Sequence, residues 1–204
     1  MTPRIWAEIV AAHQDAERII AAAFEDRAAR PDLDALRARL RRRLDELLAA
    51  LSPPASEEDA VSALVPLVLL LDERVEGRLT RLDPDEPPAW PALQRDLFPA
   101  GDGGDVFYEQ AGALLRLAAP PPLVVGAYLF CLKVGFEGRL VDAPAQIPRW
   151  KERLAARLPP GAPLVAEPAK PASRKARPRW HHVAAAVGAL LALQLVLLAI
   201  TRGL

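Results

Sequence analysis

A single cysteine among 204 residues rules out an intramolecular disulfide. Cys131 sits in the apolar run LFCLKVGF with no histidine beside it, which predicts a small core residue rather than a reactive thiol. Histidine is nearly as scarce: His13 lies in the first predicted helix, and His181 and His182 are adjacent near the C-terminus. No glycine loop that could cradle phosphate, no zinc-ligand spacing and no serine nucleophile elbow is present. The chain also lacks a period-2 apolar alternation of useful length, and it has no internal repeat. These absences argue against an enzyme and against a strand-based fold. No catalytic residue, metal ligand or cofactor site is assigned.

What is present is helical periodicity. Ile5, Ile9, Ala12, Ala16, Ile19, Ala23 and Phe24 predict a first helix within 5–28, ended by Pro31. Asp32 can cap a second, striped by Leu33, Leu36, Leu40, Leu44, Leu47 and Leu51 and stopped by Pro53-Pro54. Ser56 opens a third helix expected to run to about Val75, with a kink at Pro66 where the ring removes a backbone donor. Residues 82–104 are rich in Pro and Gly, around a short helical piece near Trp90–Leu97. Further helices are expected over Val106–Ala118, from Pro120–Pro122 through the apolar run Leu123–Phe136, and over Ile147–Leu158. The class is all-α.

The longest uncharged run is Val183–Ile200, VAAAVGALLALQLVLLAI. Its 18 residues would cover about 27 Å as a helix, close to the ~30 Å apolar core of a bilayer. Gln194 is either a tolerated exception or a helix–helix contact, and Gly188 with Ala184 or Ala192 gives a weak small-xxx-small spacing. Lys170, Arg174, Lys175, Arg177 and Arg179 precede the run and only Arg202 follows, so the long N-terminal part is expected on the cytoplasmic side. With no N-terminal signal pattern, the predicted organisation is a cytoplasmic helical domain 1–158, a Pro-, Ala- and basic-rich linker 159–179, a membrane-spanning helix 180–201 and a short tail 202–204.

Charge is unevenly spread. The chain is neutral overall, but residues 1–169 hold all 26 acidic and only 20 basic residues, a net charge of −6. The body is therefore a poor partner for nucleic acid, whereas the basic linker suits an anionic inner leaflet. The arginines between Arg37 and Arg43 are surrounded by Asp32, Asp34, Asp45 and Glu46, which predicts a solvated helix face.

Two clusters stand out. Asp72-Glu73-Arg74 and Gly135-Phe136-Glu137-Gly138-Arg139 each place acid and base at an expected helix C-terminus, where carboxylates oppose the dipole. Two readings follow. Either the clusters join two helices by ion pairs, such as Asp72 or Glu73 with Arg139 and Glu137 with Arg74, or they line an acidic, partly exposed cleft for a protein partner.

The order LLLDERV, then Trp90-x-x-Leu93-Gln94, then GGDVFYEQ (Gly103, Gly104, Phe107, Tyr108), then YLFCLKVGFEGR resembles the IcmH/DotU/TssL family over about residues 57–158. Its members are inner-membrane components of type VI and type IVB secretion systems. The resemblance implies a cytoplasmic hook of two small helical bundles that dimerises, joins an IcmF/TssM-like inner-membrane protein and contacts baseplate proteins. It implies docking through Asp72 and Glu73, with Arg74, Glu137 and Arg139 nearby. Trp90, Gly103, Gly104, Phe107, Gly135, Phe136 and Gly138 are then structural. On that basis, charge reversal at Asp72 and Glu73 is expected to abolish baseplate recruitment and spare membrane insertion. The alternative is a tail-anchored adaptor unrelated to secretion. Here Gly77 to Pro88 replaces a family segment that carries additional tryptophans.

Overall fold

The computed structural model describes residues 3–26, 30–52, 54–96 and 103–162. The expected span 180–201, with Val183, Gly188, Gln194 and Ile200, lies outside them, as do most of the linker and the tail 202–204. Among the described residues no helix is long and apolar enough to cross a membrane.

Every regular element among the described residues is helical. Six α-helices follow in order: α1 (Pro3–Ala23), α2 (Leu33–Leu51), α3 (Glu57–Leu82), α4 (Gly103–Arg116), α5 (Pro122–Lys133) and α6 (Ile147–Ala155). Short 3-10 turns cover Leu93–Asp96, Gly138–Leu140 and Pro144–Gln146. Asp32 caps α2 by accepting from Ala35 N, and Ser56 caps α3 by accepting from Asp59 N, as the sequence predicts. Each cap satisfies a backbone donor that the first helical turn cannot.

α3 corrects one expectation: it continues to Leu82 rather than ending near Val75, with Pro66 inside the helix. Every residue from Ala63 to Asp72 is buried, so the packing around Pro66 offsets the one backbone bond the ring removes. Val75 and Leu79 carry the apolar stripe onward, and the helix stops where Asp83-Pro84 forbids another turn. α3 is the shared element of the fold. α1 and α2 pack on each other and on α3, whereas α5 packs on α3 and on α6, and α4 leans on α3 and α5. α6 ends three residues before Leu158, its expected limit.

α5 is buried on all sides from Leu123 to Leu132, as its unbroken apolar run predicts, with Cys131 wholly enclosed. Its end is a Schellman motif. Phe136 N donates to Cys131 O at 2.9 Å and Gly135 N to Leu132 O at 3.3 Å, with Gly135 at φ +99. Phe130 of α5 meets α1 edge-on, against Trp6 at 5.7 Å and His13 at 5.2 Å.

His13 faces charge from two helices, Glu17 on α1 and Arg74 on α3, while Arg43 of α2 lines the same small cavity. Burial and the Arg74 cation push its imidazole below the ordinary value, with Glu17 opposing. A base whose folded pKa is lowered contributes stability above its unfolded pKa and loses it as pH falls. The domain should therefore lose up to about 1 kcal/mol per pH unit below roughly pH 6.5 from this group. Melting curves of the parent chain and of His13→Leu over that window should differ in slope, the variant being flatter; identical slopes would remove His13 as the source.

Candidate functional site

Asp72, Glu73 and Arg74 lie nine residues or so before the end of α3, not at its C-terminus, so the dipole has no part in their placement. Successive helical side chains point ~100° apart. Three neighbours in sequence therefore address three different parts of the molecule.

Asp72 is 3% exposed, the one charged residue within the buried core of the described part. Its Oδ1 accepts from Trp90 Nε1 at 2.7 Å and Leu93 N at 2.8 Å, and its Oδ2 accepts from Gln94 N at 2.9 Å. These donors belong to the Pro-rich connection between α3 and α4, which the carboxylate holds down as a strap. Arg37 Nε of α2 secures the same strap by donating to Pro91 O at 2.8 Å. Burial pushes the Asp72 carboxyl up, and the three donors and Arg37 pull against that. Trp90, at 7% exposure, is the strap's anchor and precedes the 3-10 turn rather than starting a helix. Gly103 opens α4 where a Cβ would stand 2.2 Å from Gln94 Oε1 and 3.0 Å from Leu69 Cδ2. A side chain there would require the Gln94 amide and the Leu69 methyl to move aside.

Glu73 reaches the turn that follows α5. Both its oxygens lie 3.2 Å from Glu137 N, and Oε2 accepts from Gly138 N at 2.6 Å. Burial pushes this carboxyl up as well, against the pull of the two amides and Arg74. Arg74 closes the other end of the turn by donating from Nη2 to Val134 O. Its Nε stands 3.2 Å from Glu17 Oε1 of α1, near enough for an ion pair but not aligned as a hydrogen bond.

α4 holds the turn from the opposite side. Phe136 stacks on Phe107 with centroids 4.2 Å apart, and Tyr108 donates its hydroxyl to Glu137 O at 3.0 Å. Gly138 has φ +49, and a Cβ there would meet the Phe136 ring at 2.9 Å and Gly104 Cα at 3.1 Å. Glu137 and Arg139 are exposed; Arg139 pairs with Asp105 at 3.3 Å and lies over the Tyr108 ring at 5.4 Å.

The structure thus brings the two clusters together, but not through the ion pairs considered from sequence. Arg139 pairs with Asp105 rather than Asp72 or Glu73, and Arg74 with Glu17 rather than Glu137. Carboxylates on α3 bind backbone amides instead. Sequence inspection did not single out Tyr108 as the partner of Glu137 O, Asp105 as the partner of Arg139, or Arg37 as the second hold on the strap. Asp105 and Tyr108 stand in the GGDVFYEQ motif, a signal that was available; Arg37 was hidden in a run of arginines.

The site offers no pair of exposed titratable groups set for proton transfer, and among the described residues no group of three or more His, Cys, Asp or Glu is placed to hold a metal. Burial raises the Cys131 thiol well above its ordinary value, and Tyr108 and Tyr128 are raised likewise, so none of these three is activated. What the geometry builds is a rigid turn with two charged side chains displayed on it. That is the character of an all-helical scaffold whose buried polar groups are spent on shape. A family model described as "Type VI secretion system protein DotU" matches residues 8–202, and the chain belongs to that family. A solved structure, described as the 3D structure of DotU from Francisella novicida, has the same fold at TM-score 0.58 and 19% identity, covering 74% of this chain and 97% of that one. No curated protein matches. The family is one of secretion-system components and not a known family of enzymes.

Proposed function

We propose that this chain is a structural subunit of a bacterial secretion-system membrane complex, of the type VI or DotU type. It anchors at the inner membrane through residues 180–201, keeps its N-terminal domain cytoplasmic, and docks the baseplate there. Its partners are an IcmF/TssM-like inner-membrane protein, baseplate proteins and a second copy of itself. The observation that carries the docking role is the turn Gly135–Arg139. Glu73, Arg74 and Tyr108 fix its backbone while the side chains of Glu137 and Arg139 face outward. A fixed backbone lowers the ordering cost of binding, so displayed charges on it suit recognition.

The Glu73 side chain serves this surface from behind, and Asp72 is buried under the strap. Docking is therefore tested on the exposed pair, with Glu137→Lys combined with Arg139→Glu. The Arg139–Asp105 pair is exposed on both sides and worth little, so the variant should melt as the parent does. In membranes from the native host, it should fractionate normally yet recover roughly tenfold less baseplate protein on co-purification. Undiminished recovery would count against this turn as the docking surface.

A further inference from the structure

Beside the turn, α4 and α6 enclose an open groove of about 640 Å³ whose lining is basic and aromatic. Arg116 of α4, Arg139 of the turn and Arg153 of α6 converge on it, against one acid, Glu109. Half-buried Trp150 supplies its aromatic surface, backed by the buried Tyr108 ring 5.3 Å away. Arg153 lies over the Trp150 ring at 4.9 Å and Arg139 over Tyr108 at 5.4 Å. A guanidinium that spends its flat face on a ring keeps its N–H edge available for a carboxylate. Arg116 and Arg153 are exposed and make no ion pair among the described residues.

We infer that this groove is a docking site for an acidic segment of another protein, one with clustered Asp or Glu around an aromatic or apolar residue. Charge complementarity selects the acids, and the exposed part of Trp150 selects the central apolar side chain. Gly112 keeps the groove open: a Cβ there would stand 3.6 Å from Arg116 Nη1 and 3.8 Å from Trp150 Cη2, in ordinary contact. A longer side chain at 112 would extend into the groove from a helical backbone that tolerates it. A flat lipid surface fits a recess between two helices poorly, and the net charge of −6 on residues 1–169 confines any acidic partner to this local basic patch. Arg139 borders both this groove and the proposed baseplate surface, so the test turns on Arg116, Arg153 and Gly112, which the baseplate reading does not use.

The test uses the full chain in detergent and a labelled synthetic peptide, mostly Glu with one central Phe, alongside its Lys counterpart, read by fluorescence anisotropy. The Glu peptide should bind with an affinity that falls as salt rises, and the Lys peptide should not bind. Arg116→Glu with Arg153→Glu should weaken binding roughly tenfold or more, and Gly112→Leu should do the same by occupying the floor, whereas Gly112→Ala should bind like the parent. Circular dichroism checks that each variant is folded. Equal binding of both peptides, or full binding by Gly112→Leu, overturns the proposal. So does displacement of the Glu peptide by phosphatidylglycerol added to the micelles when the effect requires Arg116 and Arg153, or a Gly112→Leu variant whose change is confined to its oligomeric state.

Discussion

Replacing Asp72 by leucine should destabilise the helical domain by about 3–5 kcal/mol, among the largest effects of any single change. The leucine would fit the volume but leave Trp90 Nε1, Leu93 N and Gln94 N without the acceptor that all three share. Each buried donor left unpaired costs about 1–3 kcal/mol, and the strap would loosen to recover water for some of them. A domain of this size should melt roughly 10 °C lower, and Trp90 fluorescence should shift to the red as its ring leaves the core. Asp72→Asn, which keeps one acceptor oxygen, should lose distinctly less. If the leucine variant melts within a degree or two of the parent, the strap is not held by this carboxylate. Charge reversal at Asp72 would place an unpaired cation in the same pocket. A double reversal at Asp72 and Glu73 therefore reads folding before it reads docking, which is why the docking test belongs at Glu137 and Arg139.

The second large effect is expected at Gly138. Valine there meets two obstacles at once, a φ of +49 that β-branched residues avoid and a Cβ position 2.9 Å from the Phe136 ring. Left-handed strain at a non-glycine residue costs about 1–3 kcal/mol and overpacking a further 1–3 kcal/mol, so a loss of roughly 2–6 kcal/mol is expected. The relief available is for Phe136 to swing off Phe107, which would free Gly138 N from Glu73 and Glu137 O from Tyr108. Hydrogen exchange at the 137 and 138 amides should rise far more than in the middle of α5. A variant with unchanged protection at these amides would show that the turn does not depend on this glycine.

The helices were legible because their signals are local. Asp32 and Ser56 cap as their side chains allow, and the Leu36–Leu51 stripe is buried at the predicted spacing. α3 was cut short in the sequence reading because Asp72-Glu73-Arg74 looked like a polar end. Their burial depends on Pro91–Gln94 and on residues 134–138 folding back over them, which no periodicity encodes. The same cause hid the true partners of the charges. A carboxylate that accepts from backbone amides leaves no matching residue type in the sequence, so Glu73 invited an arginine partner that it does not use. Gly135 and Gly138 were identified as structural from the resemblance, and the structure supplies their physical reasons, a Schellman turn and a tight approach to Gly104.

The fan of Asp72, Glu73 and Arg74 makes α3 a keyed shaft. Turning it by a single residue would swing each of the three side chains by ~100° and unhook strap, turn and first helix together. A one-residue insertion between Ala63 and Leu71 should thus be far more damaging than the same insertion after Leu79. The displayed turn and the strap thus hang from adjacent residues of one helix, so neither can be re-registered without the other.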